Sequence, residues 1–261
     1  MSHPVFINTR PNVHYHIDGM AVFDLPLLEL STRPLADDEL HLLSRLIQGQ
    51  FKVVIAVSVM AVTCAMSWLK KQGICHVRDL KNPPAFIAVG DATGQALKEW
   101  GITPIIPDTQ NNEGMLELPI IKHLSPNDDI LIWRGVGGRR LLADTLIKRD
   151  IGVHAIAFYE RKVSPHLPQR FHELLAILLD SPPQLITVLI SSEASLNAWR
   201  DVCQENAPDG MFSAKNVIYL TLGERLAALT SQYYPDFGVW RIENLDKATL
   251  HQALHTITQS Q

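Results

Sequence analysis

The chain has 261 residues, of which 46% are hydrophobic and 19% charged, and its formal net charge is −4. It is too long for one ordinary open α/β domain and comfortable for two, with enough apolar material for two cores. An acidic balance with no compensating basic run argues against a general nucleic-acid binder, whose phosphate contacts demand a basic surface. Cys64, Cys75 and Cys203 show no C-x-x-C spacing, so neither a disulfide framework nor a zinc knuckle is expected, and a reducing cytoplasm is the simple inference. Met1-Ser2-His3-Pro4 has neither a basic nor an apolar leader region, so no secretion signal is expected.

Short β-branched runs alternate with helical patterns, the signature of βα units and parallel sheets. In chain order the expected strands are Val5–Asn8, Val53–Val57, Phe86–Val89, Ile130–Trp133, Ile186–Ile190, Val217–Leu220 and Gly238–Ile242. The expected helices are Val59–Gln72, Thr93–Trp100, Gly138–Arg149, Ala194–Glu205, Glu224–Gln232 and Lys247–Thr256. The uncharged stretch from Val53 to Leu69 is too short and too polar for a membrane span and reads as a buried strand running into a buried helix. The segments Leu25–Ser31 and Ala155–Val163 read as extended and able to pair with each other, so the chain would enter one lobe, build a second, and return to finish the first. Val54–Ser58 is echoed by Val188–Ser192, and Ile87–Leu97 by Ile218–Ala228, which suggests one βαβα block used twice.

The loop Arg134-Gly135-Val136-Gly137-Gly138-Arg139-Arg140 follows a strand and is expected to open a helix, where backbone N–H groups favour an anion. It is neither G-x-G-x-x-G nor a Walker loop, and a tight turn with surface arginines is the plainer reading. Ser58, Ser191 and Ser192 stand at strand carboxyl ends, where ligands bind in open α/β sheets, although a serine there, taken alone, is more often a helix cap than a ligand contact. Thr93 carries the same ambiguity. Tyr159, on the return segment, has a phenol that can face a cleft or pack against a lobe. His251 with His255, and His14 with His16, lack the companions of a metal site, so no metal is expected. The five tryptophans read as core and rim anchors, and Glu113 with Glu117 and the Asp128-Asp129 turn as solvated surface.

Taken together these segments resemble the uroporphyrinogen-III synthase family. Val5-Phe6-Ile7-Asn8-Thr9-Arg10-Pro11 resembles its opening strand and T-R-P turn, and Val54–Val62 its strand–serine–x–x–A–V segment. Ala88–Thr93 is similar to its A-V-G-x-x-T, Glu113–Leu118 to its E-G-L-L, Ile130–Leu141 to its R-G-x-G-G-R-x-x-L block, and Tyr159-Glu160-Arg161 to its Y-x-R. Ile190-Ser191-Ser192 and Arg225-Leu226-Ala227 carry the resemblance into the second half.

The resemblance implies two flavodoxin-like, doubly wound domains joined by a two-stranded β-ladder. The first would be discontinuous, residues 1–25 and 165–261, the second would span 35–154, and the linker 26–34 and 155–164. It implies a cytoplasmic, monomeric, cofactor-independent hydro-lyase of heme biosynthesis with no nucleic-acid or membrane partner. Its substrate would be a linear tetrapyrrole, hydroxymethylbilane, cyclised with inversion of ring D and loss of water to uroporphyrinogen III. Tyr159 carries over as the candidate acid, and Ser58, Thr93, Ser191, Ser192, Arg10 and Gly138 as substrate contacts. Two departures stand out. Only residues 12–24 separate the T-R-P turn from Leu25, where the family places a full helix and a further strand, and Arg225-Leu226 stand where some members carry threonines. The alternatives are a non-catalytic relative binding a tetrapyrrole or other anion in the inter-domain cleft, and a nucleotide-dependent oxidoreductase, against which the missing G-x-G-x-x-G argues.

Overall fold

The computed structural model describes residues 3–11, 13–138 and 140–260, so Asn12 and Arg139 lie outside the described residues, as do Met1, Ser2 and Gln261. In chain order the elements begin with β1 (Val5–Asn8), β2 (Ala21–Asp24), β3 (Leu28–Thr32), α1 (Asp37–Ile47), β4 (Val53–Ala56), α2 (Val59–Lys71), β5 (Ala85–Ala88) and α3 (Asp91–Lys98). They continue with α4 (Asn112–Glu117), α5 (Pro119–Lys122), β6 (Asp129–Gly135), α6 (Leu141–Ile147), β7 (Gly152–Val163) and α7 (Leu167–Asp180). The last are β8 (Ile186–Ile190), α8 (Glu193–Asn206), β9 (Val217–Leu222), α9 (Glu224–Tyr233), β10 (Gly238–Ile242) and α10 (Lys247–Gln259). The chain divides into two compact units, residues 1–29 with 162–261 and residues 30–161.

The first unit holds a sheet of order β2-β1-β8-β9-β10 with parallel pairing throughout, the doubly wound flavodoxin-like order. Its strands are apolar on both faces because helices cover both. Val5 and Ile7 face a core with Phe171, Leu174 and Trp199 of α7 and α8, while Phe6 points the other way, among Leu250, Leu254 and Ile257 of α10. The second unit holds β3-β7-β6-β4-β5, parallel from β5 through β7. There Val54 and Ala56 face α1, α2 and α3, and Val53 and Ile55 face α4, α5 and α6. β4 and α2 occupy the Val53–Leu69 stretch as a buried strand and helix, and among the described residues no helix is long and apolar enough to cross a membrane.

Several expectations need correction. The stretch after the T-R-P turn does hold a strand: β2 runs parallel to β1, reached by a crossover whose described residues form no helix. Side chains take over the tethering there. Asn8 Nδ2 donates to the Val13 carbonyl (2.6 Å) and to Asp24 (2.7 Å), and Arg10 Nη1 donates to the Tyr15 hydroxyl (2.6 Å). Helices α1 and α7 stand where the sequence reading places none. The helix after the glycine loop begins at Leu141 and not at Gly138, because Gly137 and Gly138 have φ of +80° and +90°, outside the right-handed helical region. The two extended segments do pair with each other, β3 beside β7, but the return segment is also a working strand of the second sheet, with β7 paired to β6. The two echoing blocks also occupy different places: β4 and β5 lead outward from the crossover point of one sheet on the side where β1 and β2 lie in the other, whereas β8 and β9 lie opposite. Their likeness is the local one that every βα unit shares.

Asp128 and Asp129 are not solvated surface but half-buried ion-pair partners: Asp128 accepts from Lys52 Nζ (2.7 Å), and Asp129 pairs with Arg45 and with His154 Nε2 (3.2 Å). A second clamp holds α1 to β7. Glu39, whose side chain is 12% exposed, accepts from Arg33 Nη1 (2.7 Å), from the Ala36 N–H (3.0 Å) and from the Ala157 N–H (3.1 Å). Burial is the largest single influence on this carboxyl and raises its pKa, yet the Ala36 and Ala157 N–H groups and Arg33 together outweigh it and hold it below the ordinary value. A carboxyl depressed in the folded state stabilises the fold above its unfolded pKa, and that contribution is lost as pH falls through the lower folded value. Glu39→Gln should therefore destabilise the protein by about 3 kcal/mol near neutrality. Urea unfolding at stepped pH should show this gap narrowing below about pH 4.5; a gap independent of pH would refute the assignment.

Candidate functional site

In a parallel sheet all strand carboxyl ends lie along one edge, and the helix that follows each strand starts there. In the second unit this edge carries a cavity of about 470 Å³, floored by Val57, Val89 and Ile132 and rimmed by Asn111, Arg134, the 135–138 turn, Tyr159 and Arg161. The size falls in the range of small-molecule sites.

Tyr159 is held from three successive strands. It lies on β7, where a bulge between Arg134 and Gly135 slips the register so that Gly135 of β6 stands opposite it. Bulges of this kind re-aim a side chain. Its carbonyl accepts the Val136 N–H (2.8 Å). Its hydroxyl donates to Ser58 Oγ (2.9 Å), which stands beyond the end of β4, one strand further on. The ring must cross β6 to get there, and Gly135 makes the crossing possible: a Cβ at that position would lie 2.6 Å from the ring carbons Cε2 and Cζ. Ser58 is also the N-cap of α2, accepting the Ala61 N–H (3.2 Å). The capping and ligand readings of this serine thus coincide in one hydroxyl that fixes a helix start and a phenol together.

Gly138 lines the same cavity, and the Nη2 of Arg134 lies 3.3 Å from where its Cβ would stand. Thr93 is not brought there. Gly90 takes the N-cap of α3, and Thr93 sits buried in the first turn, 4% exposed and apart from the cavity lining. The remaining candidates belong to the first unit, at the corresponding edge of its own sheet. Arg10 follows β1, and Ser191 and Ser192 follow the neighbouring β8, so all three lie at the point where the strand order reverses. Thr9 Oγ1 stitches this turn to the Leu189 carbonyl. Ser192 caps α8 and exchanges hydrogen bonds with Ser195, accepting its N–H at 3.1 Å. Arg225 pairs with Glu193 Oε2 (2.8 Å) at the same rim. His251 and His255 lie on α10, and no cluster of metal-ligating residues occurs among the described residues.

Reasoning from sequence missed Gly135 and Arg134 as individual residues. Both stood inside the recognised loop, but a glycine needed for its missing Cβ looks like any turn glycine until the register is known. Gly135→Ala should cost about 2 kcal/mol by overpacking against the Tyr159 ring. Adding Tyr159→Ala should restore part of that loss in chemical denaturation, and a Gly135→Ala chain as stable as the parent would show that the ring does not need the gap.

A family model described as Uroporphyrinogen-III synthase HemD matches residues 16–233. The chain is 32% identical over 150 residues to the uroporphyrinogen-III synthase of Escherichia coli K12 and 30% identical over 148 residues to that of Salmonella typhimurium LT2. In each case the match covers 55% of this chain and 56% of the relative, so the likeness spans little more than half of either. Among solved structures, the uroporphyrinogen-III synthetase of Helicobacter pylori 26695 superposes with a TM-score of 0.55 at 15% identity over 100% of both chains. A mutant uroporphyrinogen III synthase of Thermus thermophilus gives a TM-score of 0.50 at 16% identity, covering 99% of this chain and 98% of that one. At those identities the structures speak to the fold alone.

Proposed function

The chain belongs to the uroporphyrinogen-III synthase family, and from that premise we propose that it cyclises hydroxymethylbilane to uroporphyrinogen III, inverting ring D and releasing water. The observation that carries this reading is the phenol of Tyr159, held over Gly135 and hydrogen-bonded to Ser58 at the rim of a cavity.

The chemistry asks little of the protein beyond geometry and one proton. Tyr159 donates its proton to the departing terminal hydroxyl, which leaves as water and generates an azafulvene cation. The substituted carbon of ring D attacks that cation to give a spiro intermediate, which fragments and recloses with the ring inverted. The proton lost as the last pyrrole regains aromaticity returns to the phenolate, so the balance is one water released. The pyrroles supply the electrons. Fixing the bilane in a near-attack geometry and keeping bulk water from the cation are the protein's larger tasks.

Ser58 holds the phenol, and Gly138 belongs to the turn that lines the same cavity. Arg10, Ser191 and Ser192 supply donors at the first unit's own strand edge, whereas Thr93, buried in the first turn of α3, makes no contact with the substrate from there. In this reading the enzyme is a cytoplasmic monomer that needs no cofactor. One observation favours a second reading, a non-catalytic relative that binds a tetrapyrrole or another anion: the crossover between β1 and β2, whose described residues form no helix.

A discontinuous assay that separates porphyrin isomers after oxidation decides between them. The parent should yield the type III isomer above the spontaneous type I background. Tyr159→Phe should lower kcat by about a hundredfold, the low end for a proton donor, with little change in KM. Unchanged turnover would remove Tyr159 as the acid, and type I product alone from the parent would remove the synthase reading.

A further inference from the structure

Arg134 is a half-buried cation at the end of β6 with no carboxylate paired to it among the described residues. Among the described residues its one side-chain hydrogen bond runs from Nε to the neighbouring Gly135 carbonyl (3.1 Å). A guanidinium has five N–H donors, so most of its donor capacity is unspent. The group stands over an apolar floor that includes Val57, Val89 and Ile132. Holding a cation partly out of water beside such a surface costs free energy unless an anion offsets it. Arg161, exposed at the same rim and likewise unpaired among the described residues, adds a second positive charge. Glu160 also lines the cavity, leaving the balance of these three side chains at one positive charge.

Two half-buried arginines of the unit differ in this respect. Arg33 and Arg45 are also substantially buried, and each is matched to a carboxylate, Glu39 and Asp129. Arg134 is built into a half-buried position and left open on the cavity side.

We infer that Arg134, assisted by Arg161, is a carboxylate-binding site for an acidic arm carried on a flat apolar ring. The floor takes the ring edge, and the planar fork of the guanidinium takes the arm through paired hydrogen bonds. Gly138 keeps the turn beside Nη2 free of a side chain, so the fork can rotate toward a ligand. The identity of the ring rests on the proposed function; the carboxylate preference does not.

The test is calorimetric titration of the intact chain with an octacarboxylate porphyrin and with its octaamide, the same ring with every carboxylate made neutral. The parent should prefer the octacarboxylate. Arg134→Ala and Arg134→Gln should weaken its binding roughly ten- to a hundredfold while leaving the octaamide nearly unaffected, and Arg134→Lys should fall between, because an ammonium keeps the charge without the fork. Thermal unfolding of each variant checks the fold. Arg161→Ala, at an exposed position, provides the same comparison should Arg134 variants fail to fold, with a several-fold loss expected. A parent without preference, or variants that bind the octacarboxylate as the parent does, would overturn the site. A parent that binds the octacarboxylate through Arg134 yet forms only type I isomer would instead sink the synthase reading and leave the carboxylate site standing.

Discussion

Parallel pairing constrains this molecule more than any single contact. Because β4, β5, β6 and β7 run the same way, their carboxyl ends share one edge, and residues far apart in sequence are delivered there together. Tyr159, Gly135 and Ser58 come from β7, β6 and the end of β4, three neighbours in the sheet. Strands stand about 4.8 Å apart, so a phenol rooted on one can reach the second strand away only by passing over the one between. The bare α-carbon of Gly135 and the bulge beside it are the local adjustments that permit this passage.

The opposite edge is built for permanence. Asp128 with Lys52, and Asp129 with Arg45, close ion pairs at the start of β6, His154 Nε2 stands 3.2 Å from Asp129, and Arg45 also lies 4.8 Å over the Phe51 ring. Glu39 and Arg33 do the same where α1 meets β7. Charges at these places are mutually satisfied, whereas Arg134 at the cavity edge is not. Unspent hydrogen-bonding capacity is what a binding site needs, and it is tolerable there because the rest of the unit is held by two apolar cores, one including fully buried Trp133 and the other Ile55 and Leu146.

Much of the fold was legible in the sequence because buried parallel strands announce themselves as unbroken apolar runs. Val53–Ala56 and Ile186–Ile190 are buried at every position, and no surface pattern dilutes them. Strand β2 was missed for the converse reason: Ala21–Asp24 is only partly buried and carries no alternation. Helix α1 was hidden behind Pro34, although Asp37, Asp38 and Glu39 in its first turn and Arg45 in its last are a good charge signature for its two ends. For α7 the signal was Pro168 at the start of a helix, a position proline favours. Of the site, Ser58 and Tyr159 were readable as residue types at the right places, but their bond was not, since it spans 101 positions of sequence. The role of Gly135 depends on a register slip, and the open state of Arg134 on having no carboxylate paired to it among the described residues. Neither quantity is written in any local pattern.

One hydroxyl pair lies at the centre of the proposed chemistry, and a double-mutant cycle of Ser58→Ala and Tyr159→Phe on the cyclisation rate tests it most directly. If Ser58 acts by holding the phenol, the two losses overlap, and the double variant should be scarcely slower than Tyr159→Phe alone, with a coupling of roughly 1 kcal/mol or more. Strictly additive losses would mean that the two side chains work independently and would contradict the arrangement described for Tyr159 and Ser58.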